Sequence, residues 1–173
     1  MGEYARTLSK CCVRRVDILM IYVTLGTQDK PFTRLLQKIE EQIDKGNIKE
    51  DVIVQAGHTK YVSEKMKTFD LVERDEFVRL INTCDLLITH GGVGSILTGL
   101  KNQKKVIACP RLYKYGEHMN DHQIQIVSLF AKEGYILELQ EDDDMELVLQ
   151  KVESFEPKEF QSNTEQFVKL IEE

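Results

Sequence analysis

A strand that ends in a glycine-rich turn and reopens at once as a helix is the strongest constraint on how this chain can fold. Leu86-Leu87-Ile88, after Asp85, is apolar; Thr89-His90-Gly91-Gly92-Val93-Gly94-Ser95 forms the turn; Ile96-Leu97-Thr98-Gly99-Leu100 reads as the helix start. Such a turn points bare backbone N–H groups and a positive dipole end at one spot, which suits a phosphate or diphosphate. Glycine there avoids a clash with the ligand and permits positive φ angles. The spacing is not the dinucleotide fingerprint, because Leu97 stands where its third glycine belongs. An ordinary tight turn remains the alternative reading of the run taken alone.

A second loop of the same character strengthens the anion reading. Ile21-Tyr22-Val23-Thr24-Leu25 is followed by Gly26-Thr27-Gln28-Asp29-Lys30-Pro31 and an amphipathic segment from Phe32. Pro31 suits a helix start. The alternation continues, with strands expected at 20–25, 51–55, 69–72, 85–89, 105–109 and 135–138. Helices are expected at 32–45, 60–67, 75–83, 94–102, 120–133, 143–153 and 159–172. This rhythm implies an α/β fold: a single Rossmann-like domain whose mostly parallel sheet carries helices on both faces. Loops after different strands then gather at the carboxyl edge of the sheet, where ligands bind.

The chain has 173 residues, of which 42% are hydrophobic, enough for one domain with a full core. Residues 20–173 are expected to be that domain. Residues 1–19 form an N-terminal extension of unknown role, in which Arg6, Lys10, Arg14 and Arg15 surround Cys11-Cys12 without clear periodicity. A net charge of −6 argues against a general nucleic-acid binder. The longest apolar run, Ile18 to Val23, is far too short to span a bilayer. Cys11, Cys12, Cys84 and Cys109 make no Cys-x-x-Cys pair and complete no zinc site. Cys84 and Cys109 read as small core residues, and a reducing cytoplasm fits this usage. Glu141-Asp142-Asp143-Asp144 reads as a solvated loop and helix N-cap, not as a metal site.

Arg111 to Gln123, RLYKYGEHMNDHQ, is long and polar for a connection after a buried strand. Long loops in compact domains are often binding loops. His118 and His122 have the i, i+4 spacing of metal ligands, but no third soft ligand stands nearby, and no metal is expected. The plain reading is a loop and cap, with Asn120 or Asp121 opening a helix through Ile124, Ile126 and Val127. The sharper reading is a sugar-binding loop, since Asn, Asp, His and Gln side chains match hydroxyl groups. His90, immediately before the glycines, is read as a ligand contact over a satisfied strand-end histidine; His58 carries a weaker version of the same signal. Neither a Ser-His-Asp order nor a carboxylate pair supports a hydrolase.

With the three loops located, VTLGTQDKPFTRLL, ITHGGVGSI and PRLYKYGEHMNDHQ resemble the nucleotide-sugar-binding half of GT-B glycosyltransferases, the family 28 C-terminal domain. The likeness extends over about residues 20–155. It includes the peptidoglycan and dolichol-linked N-acetylglucosaminyltransferases and is nearest to the small split bacterial exopolysaccharide and capsule enzymes. The resemblance implies that a UDP-sugar diphosphate lies against Gly26-Thr27 and the run His90, Gly91, Gly92, Gly94 and Ser95. Uracil would lie near the segment after strand 69–72, and the sugar near Glu117, Asn120, Asp121, His122 and Gln123. Arg111 is expected as a cationic partner. Thr98 replaces the acidic ribose-binding residue of several relatives, and Gln28 replaces a histidine found in some, so no catalytic residue is assigned.

One Rossmann-like half fills this chain, whereas a GT-B enzyme needs two. The expected function is the donor-binding catalytic subunit of a two-part inverting transferase. It would move a hexose, galactose or N-acetylglucosamine, from UDP to a polyprenyl-diphosphate-linked acceptor in exopolysaccharide or capsule synthesis. No cofactor beyond the UDP-sugar substrate is expected. A membrane-associated second subunit would supply the acceptor half and hold this cytoplasmic chain at the inner face of the plasma membrane. A C-terminal helix with Phe160, Phe167, Leu170 and Ile171 could dock that partner or pack on its own sheet. The rival readings are a non-catalytic nucleotide-sugar-binding or scaffold module and a sugar-nucleotide epimerase of the same fold.

Overall fold

Buried β-branched and leucine side chains build the strands in the computed structural model, which describes residues 20–161. β1 (Met20–Thr24), β2 (Asp51–Gln55), β3 (Lys67–Phe69), β4 (Leu86–His90), β5 (Lys105–Cys109) and β6 (Leu137–Glu138) form one sheet, with spatial order β3-β2-β1-β4-β5-β6. Every neighbouring pair is parallel. All five residues of β4 are buried, as expected of a central strand covered on both faces.

Alternation along β1 divides the core. Ile21 and Val23 join Leu35, Leu36 and Ile39 of α1 (Thr33–Asp44) and Met145, Val148 and Val152 of α5 (Met145–Ser154). Tyr22, between them, faces Leu80 and Ile81 of α2 (Arg74–Thr83), Ile96 and Leu100 of α3 (Val93–Lys101), and Val127 and Phe130 of α4 (His122–Lys132). The chain leaves β1 toward β2 and later crosses back to β4, so β1 and β4 flank the point where the strand order reverses. Ligand clefts form at such a point, because the loops after those two strands run apart.

Strands at 51–55 and 105–109 form as expected, and β1 and β4 differ from expectation by a residue. Asp144 caps α5, its side chain accepting from the Glu146 N–H at 2.9 Å. β3 comes earlier than the expected 69–72, because the helix expected at 60–67 does not form. Residues 58–66 instead follow an irregular path along α1. Thr59 accepts from the Phe32 N–H at 3.0 Å, and Tyr61 and Ser63 both donate to Glu40. Met66 is 5% exposed while Val62 is 96% exposed, although a helix would put them on one face. Tertiary bonds to α1 override the local pattern. Residues 155–161 are not helical either; the remainder of the helix expected at 159–172, and the extension at 1–19, lie outside the described residues.

That separation of Met66 from Val62 can be measured. Met66→Ala is expected to destabilise the domain by about 2–5 kcal/mol in urea denaturation, and Val62→Ala by less than about 0.5 kcal/mol. Equal effects would restore the helix.

Candidate functional site

A cleft of about 560 Å³ opens at the carboxyl edge of the sheet. Thr24 and Gln55 form its floor; Gly26 and Thr27 of the β1–α1 loop, Leu71, Val72, Arg74 and Phe77 after β3, and Gly94, Ser95 and Thr98 of α3 form its walls. The N-terminus of α3 lies within it. Gly92 is the N-cap residue, no side chain caps the helix, and the first turn holds no acidic residue. Its first N–H groups therefore lack protein partners of the usual kind and keep their partial positive charge. Gly94 is exposed, and a Cβ there meets nothing within 4 Å.

The electrostatics of the cleft differ from those of the whole chain. Despite the net charge of −6, no acidic side chain lines it among the described residues. Arg74 and Lys101 do line it, and neither has an ion pair among the described residues. The arrangement favours an anion at the helix end and neutralises further charge along the wall.

His90 ends β4 beneath the two glycine loops and is 9% exposed. A Cβ on Gly26 would come within 2.5 Å of its imidazole, and one on Gly92 within 2.1 Å. Both positions are therefore glycine because the ring occupies the space, and Gly26 also has φ +76°. Burial, with a smaller contribution from Arg111, pushes the His90 pKa down to about 4, so the ring is neutral at pH 7. His90 is a spacer under the loops and does not line the cleft.

The third loop is cross-braced more than it is open. Gln123 is 6% exposed, and its Oε1 accepts from the Gly91 N–H at 3.1 Å and the Arg111 N–H at 3.0 Å. Arg111, expected as a cationic ligand partner, is 1% exposed and faces away from that role. Its guanidinium donates to the carbonyls of Leu25, Lys30 and Glu117 and lies over the Phe32 ring at 4.9 Å. Burial lowers its pKa to about 10, and Glu117 offsets part of that effect. Its Nε has no hydrogen-bond partner among the described residues. Glu117, expected near the sugar, is also buried: both its oxygens are taken by Arg34, and one of them also by the Leu112 N–H. Arg111 was expected there for its charge and Glu117 from the family resemblance; their neighbours are backbone carbonyls and another arginine.

Asn120, Asp121 and His122 are exposed at the start of α4. Asp121 occupies the N-cap position but accepts from the Tyr113 N–H at 2.8 Å, and Asn120 Oδ1 accepts from the His122 N–H at 3.1 Å. None of the five residues expected near the sugar lines the cleft. His118 and His122 turn to Asn120 and Gln125, and no metal-binding group of His, Cys, Asp and Glu occurs among the described residues. His58 is exposed beside the Gln28 carbonyl at 3.2 Å. Gln55, Arg74, Phe77 and Lys101 line the cleft without having been singled out by sequence. Gln55 ends a strand on the same edge as the glycine loops, which was the available signal; Arg74 and Phe77 depend on the path after β3, and Lys101 ends α3.

Comparison with known proteins gives a consistent picture. The Glycosyltransferase family 28 C-terminal domain model matches residues 20–173. A search of curated proteins gives no match. The solution structure of ALG13 is similar with a TM-score of 0.59 at 21% identity, over 90% of this chain and 96% of that one. MurG of Acinetobacter baumannii is similar with a TM-score of 0.54 at 13% identity, over 79% of this chain and 40% of MurG. The kitacinnamycin glycosyltransferase gives 0.55 at 15% identity, over 89% of this chain and 38% of that one. The chain thus spans nearly all of ALG13 but well under half of the larger enzymes. These likenesses concern the fold.

The glycines separate by what surrounds them. Gly92→Ala should destabilise the domain by about 1–3 kcal/mol through the collision with His90, whereas Gly94→Ala leaves the melting temperature nearly unchanged. Differential scanning fluorimetry distinguishes the outcomes. His90 also predicts a pH dependence. Its folded pKa of about 4 lies below the usual histidine value of 6.5, so the unfolded state binds the proton more tightly. Its contribution is full above pH 6.5 and is lost as pH falls toward 4. Over that window wild type should lose stability more steeply than His90→Gln, by urea titration at each pH.

Proposed function

The chain belongs to the glycosyltransferase family 28 C-terminal domain family, and from that premise we propose that it is the donor-binding catalytic subunit of a two-part inverting transferase. It moves a hexose, galactose first and N-acetylglucosamine second, from UDP to an acceptor on a polyprenyl-diphosphate carrier in exopolysaccharide or capsule synthesis. The observation that carries the reading is the uncapped N-terminus of α3, which opens into a cleft without an acidic wall. The donor diphosphate lies against Gly94 and Ser95 on one side and Gly26 and Thr27 on the other. As the glycosidic bond breaks, negative charge grows on the leaving diphosphate. Fixed backbone N–H groups and the helix dipole meet it without reorganising. The sugar extends toward the exposed start of α4, at Asn120, Asp121 and His122.

The acceptor half comes from a second subunit. The chain resembles ALG13 over nearly the whole of both chains, and it resembles larger glycosyltransferases over less than half of theirs. No helix among the described residues is long and apolar enough to cross a membrane. A membrane-associated partner therefore brings the lipid-linked acceptor and holds this chain at the inner face of the plasma membrane. A single half binds donor but cannot place the acceptor hydroxyl in line.

Purified chain is expected to bind UDP by calorimetry and to show almost no transfer until partner-containing membranes are added. Full transfer by the purified chain to a detergent-solubilised acceptor would overturn the two-part reading, and UDP binding without transfer under any pairing would favour a non-catalytic module. Gly94→Val should abolish UDP binding with the fold retained. The third loop gives a finer test. Asn120→Ala should weaken UDP-sugar binding more than UDP binding, by about 0.5–1.5 kcal/mol. Gln123→Ala should weaken both, since its oxygen holds the glycine loop.

A further inference from the structure

Gln55 ends β2 on the floor of the cleft and is only 4% exposed. Its Oε1 accepts from the Tyr22 hydroxyl at 3.0 Å. Tyr22 has no exposed surface, and burial raises its pKa above the usual phenol range, so the hydroxyl keeps its proton. Phe77 packs edge-on against the phenol ring with centroids 6.1 Å apart. With the oxygen end of the amide engaged by a donor, the NH₂ end is the one left to a ligand. Nε2 has no hydrogen-bond partner among the described residues. It is not sealed in the core either, because Arg111 Nε is the one fully buried side-chain polar atom without a partner there. Nε2 is therefore an oriented donor open to the cleft.

Register places this donor relative to the helix end. Gln55 pairs with Thr24, and Thr24 pairs with Thr89, so Gln55 stands two strands from β4. At about 4.8 Å per strand, roughly 10 Å separates it from the start of the β4–α3 turn. A diphosphate held between the loops after β1 and β4 leaves Gln55 on the side of the cleft toward β3, where the nucleoside is the part of the donor that arrives. Leu71, Val72 and Phe77 beside it supply an apolar wall for a flat base.

We propose that Gln55, positioned by the Tyr22 hydroxyl, is a specificity-determining residue that reads the O4 carbonyl of uracil and selects UDP over CDP. Uracil offers the carbonyl O4 beside N3–H; cytosine offers an amino group beside a bare N3. A fixed N–H donor meets an acceptor in uracil and a second donor in cytosine, and the remaining lone pair of Oε1 can take the uracil N3–H. Leaving such a polar group unpaired in a closed site is what makes the discrimination steep. The proposal rests on the donor-site reading above.

The test is calorimetric titration of the full chain, wild type, Gln55→Glu and Tyr22→Phe, with UDP and CDP. Wild type should prefer UDP. Gln55→Glu, which replaces the donor with a carboxylate, should lower UDP affinity about tenfold and narrow or invert the UDP:CDP ratio. Tyr22→Phe keeps the ring and the core, touches no ligand, and should narrow the ratio by freeing the amide to rotate. A loss of stability alone would lower both affinities together and leave the ratio unchanged. Variants with native melting curves and an unchanged ratio overturn the assignment of Gln55 while leaving the donor site in place. A wild-type chain without measurable UDP affinity overturns the donor-site reading and this inference with it.

Discussion

A single carbonyl oxygen, Gln123 Oε1, holds the carboxyl edge of this sheet together. It takes the N–H of Gly91 from the turn after β4 and the N–H of Arg111 from the loop after β5. Arg111 continues the brace with its guanidinium, which holds the Leu25 and Lys30 carbonyls of the loop after β1. Three loops far apart in sequence are thereby fixed to one another by groups that are almost wholly buried. The Gly91, Arg111 and Leu25 backbone groups are buried in these bonds, so their satisfaction inside the protein stabilises the arrangement. The cleft geometry depends on this brace more than on any residue that lines it.

The second constraint is steric. The His90 ring fills the space under Gly26 and Gly92, so the two loops approach one another across a neutral imidazole and not across a void. Gly94 is different in kind, because nothing among the described residues occupies the direction its Cβ would take. Of the glycines in one short motif, some are required by the fold and one is open to the site. A glycine-rich pattern by itself does not distinguish the two.

Much of the fold was legible because parallel strands covered on both faces must be nearly continuous apolar runs, and β1, β4 and β5 are such runs. The irregular crossover at 58–66 was not legible. Its route is decided by Glu40 on α1, which accepts from Tyr61 and Ser63, and α1 lies some twenty residues earlier in the chain. The glycine turn and the loop after β1 were identified as cleft elements from their place after strands. The burial of Arg111 and Glu117 against other polar groups was not legible, because a charged residue in a loop gives no local sign of partners distant in the chain. The cleft cations Arg74 and Lys101 sit on helices, where charge is ordinarily a solvated face.

The sequence by itself determined the class of fold and the place of a glycine-rich turn at a helix start, since apolar periodicity and glycine-rich turns act over a few residues. It also determined the kinship with family 28, carried by three motifs at fixed places in the strand order. Only the tertiary structure decided which polar side chains face the cleft and which brace it. That choice depends on burial and on partners distant in the chain. Tyr22 and Gln55 are separated by 33 positions, and only the parallel pairing of β1 with β2 brings the hydroxyl to the amide and sets the direction of its N–H.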